Sequence, residues 1–154
     1  MAVLPFVNIS PDPNNDYFSD GMTKELISKL SRLRDLTVIA RTSVMQYKGT
    51  AESITQIGRA LQVGTILEGS VRRSGDRLRI TAQLIDVESQ GHLWSQDYDR
   101  TLHDVFAIQS DVAQSVAHRA FAQAYAGIAI AYEQLGDNSL LTPGEAYQRA
   151  RVAA

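Results

Sequence analysis

Cysteine is absent from the 154-residue chain. Without a thiol, the chain can form neither a disulfide nor a thiolate zinc site, and it can neither use a cysteine nucleophile nor hold an iron–sulfur cluster. The compartment stays open, because proteins of the cytoplasm and of the periplasm can both lack cysteine.

Long apolar runs and a strong excess of charge are absent as well. No stretch approaches the roughly 20 apolar residues that span a bilayer, and residues 1–30 lack the basic-then-apolar order of a signal peptide. We therefore expect the chain as written to be soluble, with cytoplasm and periplasm both open. Fifteen Lys and Arg against seventeen Asp and Glu give a net charge of −2, which provides no bulk attraction to nucleic acid or to anionic lipid.

Motifs for catalysis and cofactor binding are also missing. The sequence contains no G-x-S-x-G, no glycine-rich phosphate loop and no G-x-G-x-x-G. His92, His103 and His118 have no partner at metal-ligand spacing, which favours ordinary strand and helix positions over a zinc site. Asp97 and Asp99 share a strand face, yet a strand end is favoured over an acid/base pair. The sequence predicts no catalytic residue, no metal and no cofactor.

Four Asp and Asn side chains near the N-terminus follow the ligand spacing of an EF-hand calcium loop. They are Asp12, Asn14, Asp16 and Asp20. Tyr17 and Thr23 stand where that loop requires Gly and Glu, so the pattern is broken where it is strictest. The favoured interpretation is a loop that caps the first helix, with Asp20 or Ser19 at the helix start.

Hydrophobic periodicity predicts the order of the elements. It indicates a strand at 2–6, a helix at 22–33, a strand at 36–40 and a helix at 52–63. Period-two alternation then predicts an antiparallel meander, listed here by its segments: strands at 65–73, 76–87 and 92–99, the first turn being Ser74-Gly75. In the last strand, Trp94 and Tyr98 are interpreted as core or interface aromatics.

Helical spacing of apolar residues is found again at 102–119, and an alanine-rich segment begins near 121. Tyr125 and Tyr132 fall on one face of a first C-terminal helix, and alanines between 146 and 153 mark a second. The predicted fold class is α/β: a mixed sheet with a β-α-β-α start and an antiparallel meander, plus a C-terminal helical hairpin. The predicted domains are 1–119 and 120–154.

Several consecutive blocks carry a family resemblance. They are "AVLPFVNISPDPNNDYFSDGMTKELISKL", "VIARTSVMQYKG", "IGRALQVGTILEGSVRRSGDRLRITAQLIDVESQGHLWSQDYDR" and "DVFAIQSDVA". Together, over residues 2 to about 117, they resemble the TolB-like (FlgO-like) α/β domain of bacterial signalling proteins. Residues 120–154 resemble a single tetratricopeptide-like helical pair, with a longer loop between its helices and a shortened junction near Arg119.

The resemblance implies a larger parent protein. Such domains usually follow a class III adenylate or guanylate cyclase domain, or a CadC-type winged-helix domain, and precede tetratricopeptide repeats. They often lie beyond a membrane helix, in the periplasm. Because "AVLPF" follows Met1 with no lead-in, we expect the chain to be a piece of something longer.

Arginines around the first meander turn are the strongest remaining surface signal. Arg72, Arg73, Arg77 and Arg79 are candidate contacts for an anionic partner, or they solvate a sheet edge against aggregation. Tyr125 and Tyr132 are candidate contacts for a protein partner or for self-association.

The predicted function is a non-catalytic sensory or protein-interaction module of a bacterial membrane signalling protein. One alternative is a regulatory fragment of an adenylate or guanylate cyclase whose catalytic domain is absent from this chain. Another is nucleic-acid binding through the arginine-rich hairpin, which Glu68, Asp76 and the negative net charge disfavour.

Overall fold

The computed structural model describes the backbone of residues 1–134 and the side chains of residues 1–122. The chain divides into two compact units, residues 1–117 and residues 118–154. The elements, in chain order, are β1 (Ala2–Val3), β2 (Val7–Asn8), α1 (Asp16–Ser31), α2 (Arg41–Val44), α3 (Ile54–Leu61), β3 (Thr65–Ser74), β4 (Arg77–Asp86), β5 (His92–Thr101) and α4 (Val105–Gln134).

One mixed sheet organises the first unit. Its strand order is β1-β3-β4-β5, and β2 also pairs with β3. The two short N-terminal strands run parallel to β3, whereas β3, β4 and β5 form an antiparallel meander. The predicted α/β class with a mixed sheet and a meander is confirmed.

The N-terminal strand is less regular than predicted. Residues 2–6 were expected to form one strand, but the ladder is interrupted at Pro5, which has no N–H to donate. The next amide, Phe6 N, leaves the sheet and donates to Thr23 Oγ1 of α1 at 2.9 Å. The Phe6 ring packs directly on Gly69 of β3, where any Cβ would collide with it. A proline and a glycine therefore shape this edge of the sheet.

The predicted strand at 36–40 is not a strand of the sheet. Its backbone is extended and meets β1 through two hydrogen bonds: Met1 N donates to Thr37 O at 2.7 Å, and Ile39 N donates to Met1 O at 3.0 Å. Because β1 has only two residues, it is too short to pair with the whole segment as a strand. The β-branched run thus marks an extended segment that packs against the core.

Most of the core lies on one face of the meander, and Ile66, on the opposite face of β3, is buried as well. Four β4 side chains alternate into the core as predicted: Leu78, Ile80, Ala82 and Leu84 are all buried. Helix α1 contributes Leu26 and Leu30, and α4 contributes Val112. Lys29 Nζ donates to Ser110 Oγ at 3.3 Å, which ties α1 to α4 over this face.

The predicted start of α1 is wrong. Asp20 or Ser19 was expected to cap the helix, but α1 begins at Asp16. The Asp12 side chain accepts a hydrogen bond from Asn14 N at 2.9 Å and so starts a short 3₁₀ turn that leads directly into the helix. Ser19 is consequently buried within the helix. Asp20 instead forms an ion pair with Lys48 at 2.8 Å.

The C-terminal helix is longer than the predicted one. Helical spacing was expected at 102–119 and a new alanine-rich helix from about 121, and α4 runs without interruption from Val105 to Gln134. Alanine-rich sequence without proline has high helix propensity, so nothing in it ends a helix there. Tyr125 and Tyr132 fall in the part of α4 whose side chains are not described. The predicted second helix, at 146–153, lies outside the described residues.

Candidate interaction surface

The meander carries a polar face opposite the core. Strand pairing places Arg72 opposite Arg79, and Arg79 opposite Asp99. Next to them, Thr81 pairs with Asp97. Successive residues of a strand point to opposite faces, so these charged side chains project away from the buried leucines of β4.

Three of the four predicted arginines meet on this face. Arg72, Arg77 and Arg79 line a shallow hollow of about 450 Å³; we call these three residues the arginine surface. The other lining residues are Ser74, Leu78, Asp99, Arg100 and Thr101. All three arginines are exposed. The hairpin thus gathers guanidinium groups that the sequence spreads over eight positions.

Arg73 is separated from the other three. It pairs with Leu78 and therefore belongs to the opposite face of the sheet. Its Nε donates to Gly75 O at 3.1 Å, and its backbone amide donates to Ser10 Oγ at 2.8 Å. Sequence proximity grouped all four arginines around the turn, but strand alternation assigns Arg73 a local structural role.

One arginine of the surface is already paired. Arg79 Nε lies 2.8 Å from Asp99 Oδ1, and Arg79 Nη2 lies 2.9 Å from Asp99 Oδ2. The hydrogen bond from Arg79 lowers the pKa of Asp99, and the charges of Arg79, Arg77 and Arg100 act in the same direction. The same bond raises the pKa of Arg79.

The other two arginines of the surface have no direct side-chain partner among the described residues. The side chains of Arg72 and Arg77 make no hydrogen bond or ion pair with any residue that the structure describes. Planar guanidinium groups match carboxylates in bidentate geometry. The arrangement can therefore bind an acidic group without first breaking an internal contact.

The candidate catalytic residues each have a structural place. Asp97 Oδ1 accepts from Thr81 Oγ1 at 2.7 Å, so each member of the Asp97–Asp99 pair has its own cross-strand partner. His92, His103 and His118 are exposed. Among the side chains that the structure describes, no group of three or more His, Asp or Glu could hold a metal ion.

The acidic N-terminal loop is organised by internal contacts. Asp16 Oδ1 accepts from Asn8 Nδ2 at 2.8 Å, and Lys48 Nζ lies 2.8 Å from Asp20 and 3.9 Å from Asp16. A lysine thus stands against the carboxylates that the calcium template would have required. These groups fasten the loop and the start of α1 to the segment that follows α2.

Of two further features, the sequence indicated one and missed the other. Tyr98, interpreted as a core or interface aromatic, is buried, and burial raises the pKa of its phenol. A second hollow, of about 560 Å³, lies where α3 and the segment before it pass over the polar face, with Glu68 and Gln83 in its lining. Period-two alternation places these two side chains on that face, but it does not predict which loop covers them.

Within the described part of the chain, no helix combines the length and the hydropathy needed to cross a bilayer.

Comparison with solved structures supports the fold. The lipoprotein GNA1162 from Neisseria meningitidis matches with a TM-score of 0.56 and 19% identity, over 75% of this chain and 94% of that one. TolB from Acinetobacter baumannii matches with a TM-score of 0.57 and 16% identity, over 77% of this chain and 27% of that one. The predicted resemblance to TolB is confirmed at the level of the fold.

Sequence comparison reaches closer relatives. A protein named "Putative adenylate cyclase 3", from Rhizobium meliloti (strain 1021), is 48% identical over 118 residues, which is 77% of this chain and 20% of the relative. This chain therefore spans about one fifth of that relative's length. The family model described as "HilA/YgeH-like transcriptional regulator, second domain" matches residues 1–116, which is well over half of the chain. The chain therefore belongs to the HilA/YgeH-like transcriptional regulator second-domain family.

Proposed function

We propose that the chain is a non-catalytic sensory or protein-interaction module of a bacterial membrane signalling protein, and that its arginine surface binds an acidic protein partner. The observation that carries the proposal is the exposed pair Arg72 and Arg77, which lies beside a hollow and whose side chains have no hydrogen-bonded partner among the described residues. Membership of a family named for transcriptional regulators, and similarity to part of a protein named a cyclase, support an accessory role in a longer protein.

Geometry favours an acidic protein over a nucleic acid. Asp97 and Asp99 lie on the same face as the arginines, and a phosphate backbone running across the sheet would meet them. A nucleic-acid site needs a broad basic face, because affinity depends on neutralising several successive phosphates. A few carboxylates need only the two free guanidinium groups.

A charge reversal tests this proposal. The variant Arg72→Glu/Arg77→Glu should lose binding to a fluorescent oligoglutamate peptide, because two unpaired cations become anions. Lys24→Glu/Arg59→Glu makes the same change of charge on exposed positions of α1 and α3 and should retain binding. If both variants lost oligoglutamate binding equally, binding would depend on the net charge of the chain and not on the arginine surface.

Duplex DNA is the competing probe in that assay. The proposal requires that DNA bind more weakly than oligoglutamate at every salt concentration. Tighter binding of DNA, falling steeply as salt is added and lost with Arg72→Glu/Arg77→Glu, would establish the nucleic-acid alternative instead.

A second candidate function is regulation of a cyclase. It is favoured by the 48% identity to the protein named "Putative adenylate cyclase 3". In this candidate, catalysis belongs to another part of a longer protein, and the module adjusts its rate. Deleting the matching segment from that relative should change its cyclic nucleotide production, whereas unchanged production would leave the segment without a regulatory role.

The C-terminal residues 120–154 are the basis of a second proposed contact. We propose that this tetratricopeptide-like segment binds a protein partner or a second copy of the chain through Tyr125 and Tyr132, since a single repeat cannot bury its apolar face alone. Light scattering of the full chain should show a concentration-dependent mass that Tyr125→Asp/Tyr132→Asp abolishes. A concentration-independent monomer would exclude self-association.

For the parent protein we propose a periplasmic location of this module, supported by the likeness of its fold to a protein named a lipoprotein. Membrane attachment would come from segments outside this sequence. A reporter enzyme that is active only in the periplasm, fused to the module in its parent, should be active; activity only with a cytoplasmic reporter would refute the location.

A further inference from the structure

The second hollow differs in character from the arginine surface, although both lie on the polar face. We call it the α3 cleft and define it by its lining residues: Leu4, Pro5, Val7, Tyr47, Gly49, Thr50, Glu52, Ser53, Ile54, Ile57, Glu68, Gly69, Ser70, Thr81, Gln83 and Gln90. Its volume of about 560 Å³ falls within the range of pockets that hold small organic ligands. The cleft is bounded by Leu4, Pro5 and Val7 on one side and by α3 on the other.

The cleft has apolar walls. Leu4 and Pro5, between β1 and β2, and Val7 of β2 line it on one side, and Ile54 and Ile57 line it from α3. Val7 remains more than half exposed in this position. Apolar walls of this kind contribute most of the binding energy for the body of a small ligand.

The floor of the cleft is polar and unpartnered. Glu68 pairs with Gln83 across β3 and β4, and Ser70 lies next to them on the same face. The side chains of Glu68, Gln83 and Ser70 make no hydrogen bond or ion pair with any described residue. Three half-buried polar groups are thus available to a ligand.

The charge of the cleft has one sign. Glu68 and Glu52 supply carboxylates, and no Lys, Arg or His stands among the lining residues that the structure describes. A carboxylate between apolar walls is attracted to a cation more strongly than one in open water, because the low-dielectric walls reduce screening. The cleft therefore selects for a positive group attached to an apolar body.

From these features we infer that the α3 cleft binds a small organic cation, a primary amine or guanidinium carried on an apolar or aromatic body. The cation contacts Glu68, its N–H donors are shared with Gln83 and Ser70, and its body lies between α3 and the N-terminal strands. The site is separate from the arginine surface, so either proposal can fail while the other stands. It gives the proposed sensory role a class of ligand.

Nuclear magnetic resonance titration of the full chain tests the inference with phenethylamine as the probe. We expect saturable shifts confined to amides of the lining residues, with no shifts for the neutral analogue 2-phenylethanol or the anion 3-phenylpropionate. Saturable binding of all three compounds, or of none, would overturn the inference.

Two variants locate the charge that matters. Glu68→Gln should weaken phenethylamine binding by about tenfold or more, because a charge-assisted hydrogen bond is lost. Glu25→Gln makes the same change on α1, across the sheet, and should leave binding unaltered. Gln83→Lys places a cation on the floor of the cleft and should abolish phenethylamine binding. Undiminished affinity in Glu68→Gln and Gln83→Lys, with spectra showing both folded, would refute the site.

The source of the amine is distinguished by one further probe. A short peptide with a single lysine between alanines presents the same ammonium group on a protein chain. Tighter binding of the peptide than of phenethylamine supports a protein side chain as the natural cation, and the reverse supports a free amine. Binding of neither contradicts the inference.

Discussion

The two faces of the β3–β4–β5 meander are made by the same thirty strand positions, yet they are under different constraints. The core face is filled by buried aliphatic side chains such as Ile80 and Leu84, together with Tyr98. The polar face carries exposed arginines and aspartates that meet in cross-strand pairs. The comparison teaches that the first face specifies the fold and that the second is free to be specialised for binding.

The largest difference between the two faces is expected when a cavity is made in the core face. Ile80→Ala should lower the free energy of unfolding by about 2–5 kcal/mol, since Ile80 is fully buried between the sheet and its helices. Ser95→Ala, on the exposed polar face of β5, should stay within about 0.5 kcal/mol of the parent. Urea denaturation measures both, and comparable losses would mean that the faces are not energetically distinct.

The next largest effect concerns added volume. In Gly69→Ala the new methyl group would meet the Phe6 ring and the Thr81 carbonyl, so we expect a loss of about 1–3 kcal/mol from overpacking. Gly21→Ala adds the same methyl where no atom stands within 4 Å, and in a helix alanine is favoured over glycine by about 1 kcal/mol. Thermal unfolding should therefore shift down in one variant and up in the other; a shift in the same direction would remove the close contact as an explanation.

The core face was largely predictable from the sequence, because burial imposes period-two alternation on β4 and helical spacing on α1. What escaped prediction depended on contacts distant along the chain. The sequence of residues 2–6 does not reveal that Phe6 N donates to Thr23 Oγ1. The sequence of residues 36–40 does not reveal that its neighbour β1 is too short to form a strand pair with it. The start of α1 was missed because Asp12 caps a 3₁₀ turn rather than the helix itself.

The polar face was predicted in part. Residue type and proximity identified the arginines, and alternation along the strand was sufficient to separate Arg73 from Arg72, although the four were grouped together. The α3 cleft could not be predicted, since it exists only where α3 passes over Glu68 and Gln83. Sites that arise from the packing of one element over another leave no local signal in the sequence.

The N-terminal caps of α3 and α1 allow a further comparison, with a smaller expected effect. Helix α3, beside the polar face, starts with a capping box in which Ser53 Oγ accepts from Gln56 N and Gln56 Oε1 accepts from Ser53 N. Ser53→Ala should cost about 0.5–2 kcal/mol and weaken any ligand binding in the cleft. Asn15 precedes α1 without a side-chain cap, so Asn15→Ala should cost less. If chemical denaturation showed a larger loss of unfolding free energy for Asn15→Ala than for Ser53→Ala, the capping box would not be the stronger of the two helix starts.

The smallest expected effect is electrostatic and lies within the polar face. Because the folded-state pKa of Asp99 is lowered by Arg79, the ion pair stabilises the fold above the unfolded pKa of Asp99, and that contribution is lost as the pH falls through the folded-state value. Arg79→Gln should raise the Asp99 pKa toward its ordinary value, as followed by carboxyl carbon chemical shifts, whereas Arg59→Gln should leave it unchanged. Since both partners are exposed, added salt should shrink the difference between Arg79→Gln and the parent. If salt left that difference intact, the pair would be shielded from solvent, and the polar face would be closer in character to the core face than the structure indicates.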